Sequence, residues 1–293
     1  MLKGLIVSNN SNLYQVQIDS ELVECNVRGK FKQTDLVPVV GDYVQIEKKE
    51  NEQGKGIICE ILERKMYSKR PKLANLTQII LVVSLKTPKP DFLLLDKQIA
   101  YAEYLGIKPI VCINKIDLGD KKIIDDIHNT YEKIGYVVID TNAKEKIGID
   151  EIEKILEGNV TAFSGNSGVG KSTLINGLFK EDIAQEGILS QKLKRGKNTT
   201  TNTTLYQLYG GYIADTPGFS TFDIQEIESK ELAKYFIEFK EYLSKCEYGD
   251  CNHIKEEKCA VKKAANENRI NKDRYDRYVR IFEELKEKEE HKW

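Results

Sequence analysis

The stretch Gly165-Asn166-Ser167-Gly168-Val169-Gly170-Lys171-Ser172-Thr173 has the residue types and spacing of a phosphate-binding loop, G-x-x-x-x-G-K-S. Such a loop wraps a phosphate chain with backbone N–H groups. It needs glycine where the chain approaches closely or takes positive φ. Lys171 is spaced to reach the β- and γ-phosphates, and the Ser172 hydroxyl to ligate Mg²⁺. The bland alternative is a glycine-rich turn before an ordinary helix. The flanks argue against it: residues 160–164 are strand-like, and a helix that starts at about Lys171 and runs on through 174–179 would direct the partial positive charge of its N-terminus at the phosphates.

A second motif carries base recognition. Asn114-Lys115-Ile116-Asp117 reads N-K-x-D and follows the apolar run 109–113, at the strand end where α/β sheets bind ligands. The Asp117 carboxylate can accept two hydrogen bonds, from the ring N–H and the exocyclic amine of guanine. Adenine lacks that donor pair, so such a site rejects it. The Lys115 stem can cover the base, and Asn114 can tie this loop to the phosphate loop. Thr141-Asn142-Ala143-Lys144 occupies the place of a second base-contacting loop, with a partial match to Ser-Ala-Lys. Downstream, Asp215-Thr216-Pro217-Gly218 ends another strand-like run. Asp215 can hold the Mg²⁺ shell, and the Gly218 N–H can sense the γ-phosphate. Between the two lies the polar stretch 194–204, in which Thr199 and Thr200 are candidates for Mg²⁺ and γ-phosphate contact. The competing reading of that stretch is a solvated loop.

A third constellation is C-x₄-C-x-H-x₅-C: Cys246, Cys251, His253 and Cys259. Four soft ligands this close suit one tetrahedral Zn²⁺, and with all four positions filled the metal is structural rather than catalytic. Cys25, Cys59 and Cys112 stand alone among apolar residues and read as small core residues.

The elements that must position these groups follow from periodicity. Residues 2–7, 14–18, 21–27, 43–46 and 56–62 give five short strands broken by turn residues, which fits a small closed barrel of the OB-fold type. Such barrels often bind RNA, and a β domain with a protein partner is the alternative. A basic stretch, 64–72, reads as a linker. Strands at 78–84, 109–113 and 136–139 alternate with helices at 91–104, 123–134 and 151–156, the pattern of a parallel sheet covered on both faces. Helices are expected over 230–243 and 269–288. In the second, Arg269, Lys272, Arg274, Arg277 and Arg280 interleave with Tyr275 and Tyr278, which reads either as an RNA grip or as a salt-bridged surface helix. His128 and His291 read as plain surface residues. The 293 residues carry 31% charged and 40% apolar side chains and a net charge of −1, a soluble composition with no apolar run of membrane-spanning length. Residues 1–7 turn polar too quickly for a signal peptide, and with the cysteine usage this predicts a reducing, cytoplasmic setting.

In ordinary GTPases N-K-x-D comes last; here it precedes the phosphate loop. A circularly permuted chain can assemble the same site, because the termini of compact domains often lie close together. With that order the chain resembles the RsgA family, the ribosome small-subunit-dependent GTPase A, over essentially its whole length. The resemblance implies a multidomain protein: an OB-fold RNA-binding barrel (1–66), a circularly permuted α/β P-loop GTPase domain (67–222) and a helical zinc-binding domain (223–293). It implies a cytoplasmic, monomeric enzyme that binds the 30S ribosomal subunit and its 16S rRNA late in assembly and hydrolyses GTP to GDP with Mg²⁺. The chain departs from that family at Asn198, where members usually carry a histidine before the switch threonines. Phe219 stands where ordinary GTPases have a water-orienting glutamine. No catalytic base is assigned on the sequence, so Lys171, Ser172, Asp215 and Gly218 are left with phosphate and Mg²⁺ positioning.

Overall fold

The computed structural model describes residues 1–28, 37–49, 52–186, 203–215, 224 and 226–291, with the side chains of the helix that begins at Lys171 followed as far as Phe179. Calls on the switch stretch (Asn198, Thr199, Thr200) and on Gly218 and Phe219 lie outside these residues.

The chain opens with β1 (Leu2–Asn10), β2 (Leu13–Ile18), β3 (Glu21–Val27), β4 (Tyr43–Lys48) and β5 (Lys55–Ile61). They pair in the order β1-β2-β3-β5-β4, and β4 returns antiparallel to β1 to close a five-stranded barrel of the OB type. Alternation drives this. In β2, Tyr14, Val16 and Ile18 point inward between Gln15 and Gln17, and Val23, Cys25, Val44, Ile46 and Ile58 fill the interior with them. Burial pushes the Cys25 thiol up to about 12, so it behaves as an inert core residue.

The basic stretch that reads as a linker is instead tied down. It forms a hairpin of β6 (Tyr67–Lys69) and β7 (Lys72–Ala74). Arg64 donates to both carboxylate oxygens of Asp42 at 2.7 and 2.8 Å and to the Val37 carbonyl at 2.7 Å. Asp42 is fully buried and needs this cation, since an unpaired carboxylate in the interior is strongly unfavourable. Asn75 adds a second anchor, accepting from the Lys65 N–H and donating to the Gly41 carbonyl.

The alternating part follows as β8 (Gln78–Ser84), α1 (Phe92–Leu105), β9 (Lys108–Asn114), α2 (Lys121–Tyr131), β10 (Val137–Thr141), α3 (Ile149–Leu156), β11 (Val160–Ser164), α4 (Lys171–Glu186), β12 (Thr204–Leu208) and β13 (Gly211–Asp215). All seven residues of β8 are buried, as its unbroken apolar run predicts. The Asp91 carboxylate caps α1 by accepting the Leu94 N–H. The chain ends with two 3₁₀ turns, Ser229–Tyr235 and Ile237–Phe239, then α5 (Lys240–Leu243), α6 (Ala260–Asn266) and α7 (Lys272–Glu290). The single helix expected over 230–243 is therefore broken. Phe236 is extended (φ −101°, ψ 95°), and Phe236 and Phe239 both bury their rings against Tyr278, with centroids 5.1 and 4.9 Å away. Packing of those aromatics overrides a modest helix propensity.

Two compact units result: Met1–Ile80 with Gly148–Ser164 and Ser172–Ser220, and Leu81–Ile147 with Gly165–Lys171 and Thr221–Trp293. In the first, β12 pairs with β1 and with β13, and β13 runs parallel to β11. In the second, β9 lies between β8 and β10, parallel to β10. The second unit also corrects the reading of two arginines of the last helix, although Lys272 and Asp276 on it do form a surface ion pair at 2.7 Å. Arg274 is fully buried and donates to Asp96 on α1 and to Glu238, while Arg277 donates to the other Asp96 oxygen. Tyr131 donates to Asp96 as well, at 2.9 Å. These arginines form an internal ion cluster; neither an RNA grip nor a surface salt bridge describes them. His128 also has partners, Glu132 at 2.9 Å and Asp140 at 3.0 Å.

Candidate guanine-nucleotide site and metal centre

The two sequence motifs meet in the second unit. Asn114 is the last residue of β9 and is buried. Its amide donates to the Val169 carbonyl in the phosphate loop at 2.9 Å. Its Oδ1 accepts the Ala143 N–H at 3.3 Å and lies 3.2 Å from the Thr141 hydroxyl. One side chain thus joins N-K-x-D, the phosphate loop and the 141–144 loop, although 55 residues separate Asn114 from Val169. Lys115 adopts φ 60° and sends its ammonium to the Gly168 carbonyl at 2.6 Å and the Thr87 carbonyl at 2.5 Å. Ile116 and Asp117 sit in the short turn Ile116–Leu118, and Asp117 is exposed.

The phosphate loop itself requires its glycines. Gly165 has φ 133°, and a Cβ there would lie 2.2 Å from the Val82 carbonyl oxygen of β8. Gly170 has φ 105°, and a Cβ there would lie 2.2 Å from the Asn114 amide nitrogen. Lys171 folds back over the loop, donating to the carbonyls of Gly165 at 2.6 Å and Asn166 at 2.8 Å, and burial lowers its pKa. An incoming phosphate would restore the balance by favouring the ammonium. Ser167 and Gly168 are exposed on the loop, and Ser172 and Thr173 on the first turn of α4. In the first unit, the register Ala162↔Ala214 sets Asp215 beside the end of β11, the strand that leads into the loop.

The cysteines and histidine singled out in the sequence also converge. The ligand atoms of Cys246, Cys251, His253 and Cys259 all lie within 4.8 Å of one another. The Cys246 and Cys259 sulfurs are 3.9 Å apart, and His253 Nδ1 is 3.5 Å from one and 3.4 Å from the other. Tetrahedral Zn²⁺ with ordinary bond lengths gives edges of about 3.8 Å for two sulfurs and about 3.6 Å for sulfur and nitrogen. The cluster has the size and donor set of a metal centre, with Nδ1 as the histidine ligand. Burial pushes the Cys251 thiol up to about 12 and lowers the His253 pKa.

With that geometry in place, comparison with known proteins is decisive. Residues 60–225 match the RsgA GTPase family and residues 3–58 the RsgA N-terminal domain. A protein of Clostridium beijerinckii, "Small ribosomal subunit biogenesis GTPase RsgA", is 44% identical over 293 residues, covering all of both chains. The chain belongs to the RsgA GTPase family. A relative of the same name from Clostridium botulinum (strain Loch Maree) is 42% identical, again over the full length of both. Among solved structures, YjeQ from Thermotoga maritima superposes with a TM-score of 0.85 at 36% identity, covering 97% of this chain and 98% of that one. YloQ, described as a circularly permuted GTPase, gives 0.84 at 34% identity, covering 98% and 96%. As an RsgA GTPase the chain is a hydrolase acting on GTP.

Other contacts of this GTPase site were not legible in the sequence. Thr87 accepts Lys115 through its backbone carbonyl, which any residue could supply. Asp91, which caps α1, also reaches the Asn166 amide at 3.5 Å. The Thr141 hydroxyl, which supports Asn114, was visible as part of the second base loop but without that role. Among the described residues, no helix is long and apolar enough to cross a membrane.

Proposed function

We propose that this RsgA-family GTPase binds the 30S ribosomal subunit and assists its late maturation, hydrolysing GTP to GDP and phosphate with stimulation by the subunit. The observation that carries this reading is the full-length likeness to a relative named for small ribosomal subunit biogenesis, 44% identical from end to end. The barrel, the permuted nucleotide site and the cysteine–histidine cluster all lie within that likeness. In this reading residues 1–66 and 223–293 flank a GTPase domain at 67–222, act in the cytoplasm as a monomer and contact 16S rRNA.

Asp117 reads guanine from its exposed turn, with Asn114 locking the two loops and Lys115 flooring the base. The backbone N–H groups of residues 165–173 and the Lys171 ammonium hold the phosphates. Ser172 and Asp215 hold Mg²⁺, which supplies charge neutralisation at the β- and γ-phosphates. Thr199, Thr200 and the Gly218 N–H complete the γ-phosphate contacts. With Phe219 and Asn198 where a glutamine and a histidine would serve, no side chain is assigned as the base that takes a proton from water. Hydrolysis by the isolated chain is therefore slow and rests on positioning. The subunit accelerates it by acting on the 194–204 stretch. Cys246, Cys251, His253 and Cys259 hold a structural Zn²⁺.

GTP hydrolysis measured with and without purified 30S subunits, with ATP as control, tests this. Strong stimulation with GTP alone is expected. Equal turnover with and without subunits, alongside tight nucleotide-dependent binding, would instead favour an RNA-binding switch in which hydrolysis only resets binding.

A further inference from the structure

His253 contributes Nδ1 to the metal cluster from a backbone with φ 61°, a conformation that residues with a Cβ seldom adopt. Nothing in regular structure holds it there, since it lies between α5 and α6 in a stretch without helix or strand. The restraint comes from three side chains. The Tyr275 hydroxyl donates to the carbonyl of His253 itself at 2.8 Å. The Tyr278 hydroxyl donates to the carbonyl of Asn252 at 2.8 Å. These tyrosines stand three apart on α7, so one helix face delivers both phenols to adjacent carbonyls. From the loop itself, the Glu256 carboxylate accepts the Asn252 N–H at 2.8 Å and the Ile254 N–H at 2.9 Å, one on either side of the histidine. The Phe239 ring stands edge-on to the imidazole with centroids 6.4 Å apart, and His253 is 3% exposed.

We infer that Tyr275, Tyr278 and Glu256 are positioning residues of the metal centre. They hold the 252–254 backbone so that His253 Nδ1 completes the ligand set before the ion arrives. The inference rests on reading Cys246, Cys251, His253 and Cys259 as a metal site. A ligand whose backbone is already fixed loses little freedom on coordination. Removing such outer contacts typically weakens metal affinity by about 10- to 100-fold. The competing role for the tyrosines is to fill the core, and both do pack against Phe239, with centroids 6.4 and 4.9 Å away. Phenylalanine keeps the ring and deletes only the hydroxyl, which separates the two roles.

The test uses the full chain stripped of metal and titrated with Co²⁺, then with Zn²⁺ in competition. Wild type should show the thiolate charge-transfer and tetrahedral ligand-field bands of an S₃N site. Tyr275→Phe, Tyr278→Phe and Glu256→Gln should each weaken Zn²⁺ binding by about 10-fold or more. GDP affinity should stay within about twofold of wild type, which shows that the chain is folded. Zn²⁺ affinities within about twofold of wild type in all three variants, with wild-type Co²⁺ bands intact, would overturn the inference and leave the metal site standing. A wild type that binds no Co²⁺ tetrahedrally would remove both. If Tyr278→Phe, the most buried of the three, fails to bind GDP, Tyr275→Phe and Glu256→Gln decide.

Discussion

Replacing Asn114 by alanine removes a side chain that joins the N-K-x-D turn, the phosphate loop and the 141–144 loop. Three contacts go: the donor to Val169 at 2.9 Å, the acceptor of the Ala143 N–H at 3.3 Å and the contact with Thr141 at 3.2 Å. The costs are unequal. Thr141 keeps the Ile113 carbonyl at 3.1 Å, so its hydroxyl stays satisfied. Ala143 is only partly buried, and water can replace the lost acceptor. Val169 is buried, so its carbonyl bears most of the penalty. Leaving one buried carbonyl unpaired costs about 1–3 kcal/mol, and the weaker contacts add about 1 kcal/mol. A total of about 2–4 kcal/mol corresponds to roughly 30- to 1,000-fold, shared between stability and ligand affinity. Fluorescent-GDP titration together with thermal melts separates the shares. The expected result is a Kd raised at least about 30-fold, or a smaller rise with a matching fall in Tm. A Kd within about threefold of wild type and an unchanged Tm would refute the claim that Asn114 joins the loops.

Gly170→Ala should abolish measurable GDP binding, because its Cβ would lie 2.2 Å from the Asn114 amide at a φ of 105°; binding retained in the same titration would show that the loop can open at little cost. Asp42→Asn should destabilise the chain by about 3 kcal/mol in denaturant unfolding, because it leaves the Arg64 guanidinium without its buried carboxylate; a change below about 1 kcal/mol would mean that Arg64 finds water. His128 tests pH dependence. Burial alone lowers its pKa, but hydrogen bonds to Glu132 and Asp140 outweigh burial and raise it. A raised folded pKa contributes stability below the unfolded value of about 6.5 and loses it as pH rises through the folded value. His128→Asn should therefore lower Tm more at pH about 5.5 than at pH about 9, and an equal loss at both would contradict the sign.

The parts of this site legible in the sequence are those whose chemistry is local. G-x-x-x-x-G-K-S, N-K-x-D and the Cys–His spacing each pack their ligands into a few residues. Their reversed order on the chain is itself the mark of permutation. The barrel was legible too, because alternation over β2 and its neighbours fixes which face is buried. Contacts made at long range were hidden. Arg274 and Arg277 look like solvated cations of a polar helix. Their partner Asp96 lies 178 and 181 residues away, and nothing in either segment announces the other. Arg64 is hidden in the same way, its acceptor Asp42 being 22 residues upstream. Tyr275 and Tyr278 suggested stacking on bases, yet their hydroxyls point at loop carbonyls. The break at Phe236 is set by the aromatic core it enters, which helix propensity does not encode.

The most direct test of the central claim, that a guanine reader lying ahead of the phosphate loop makes this chain a GTPase, is the nucleotide preference of Asp117→Asn. Asparagine offers one donor and one acceptor where the carboxylate offered two acceptors, which suits xanthine and leaves the guanine amine unanswered. Losing the charge-assisted bond to the amine, at about 1.5–3 kcal/mol, and the charge on the acceptor of the ring N–H, at about 1 kcal/mol, should weaken GTP binding by roughly 10²- to 10³-fold. Hydrolysis of XTP should rise above that of GTP. If the variant binds GTP as tightly as wild type and gains nothing with XTP, Asp117 does not read the base, and the account of the site is wrong.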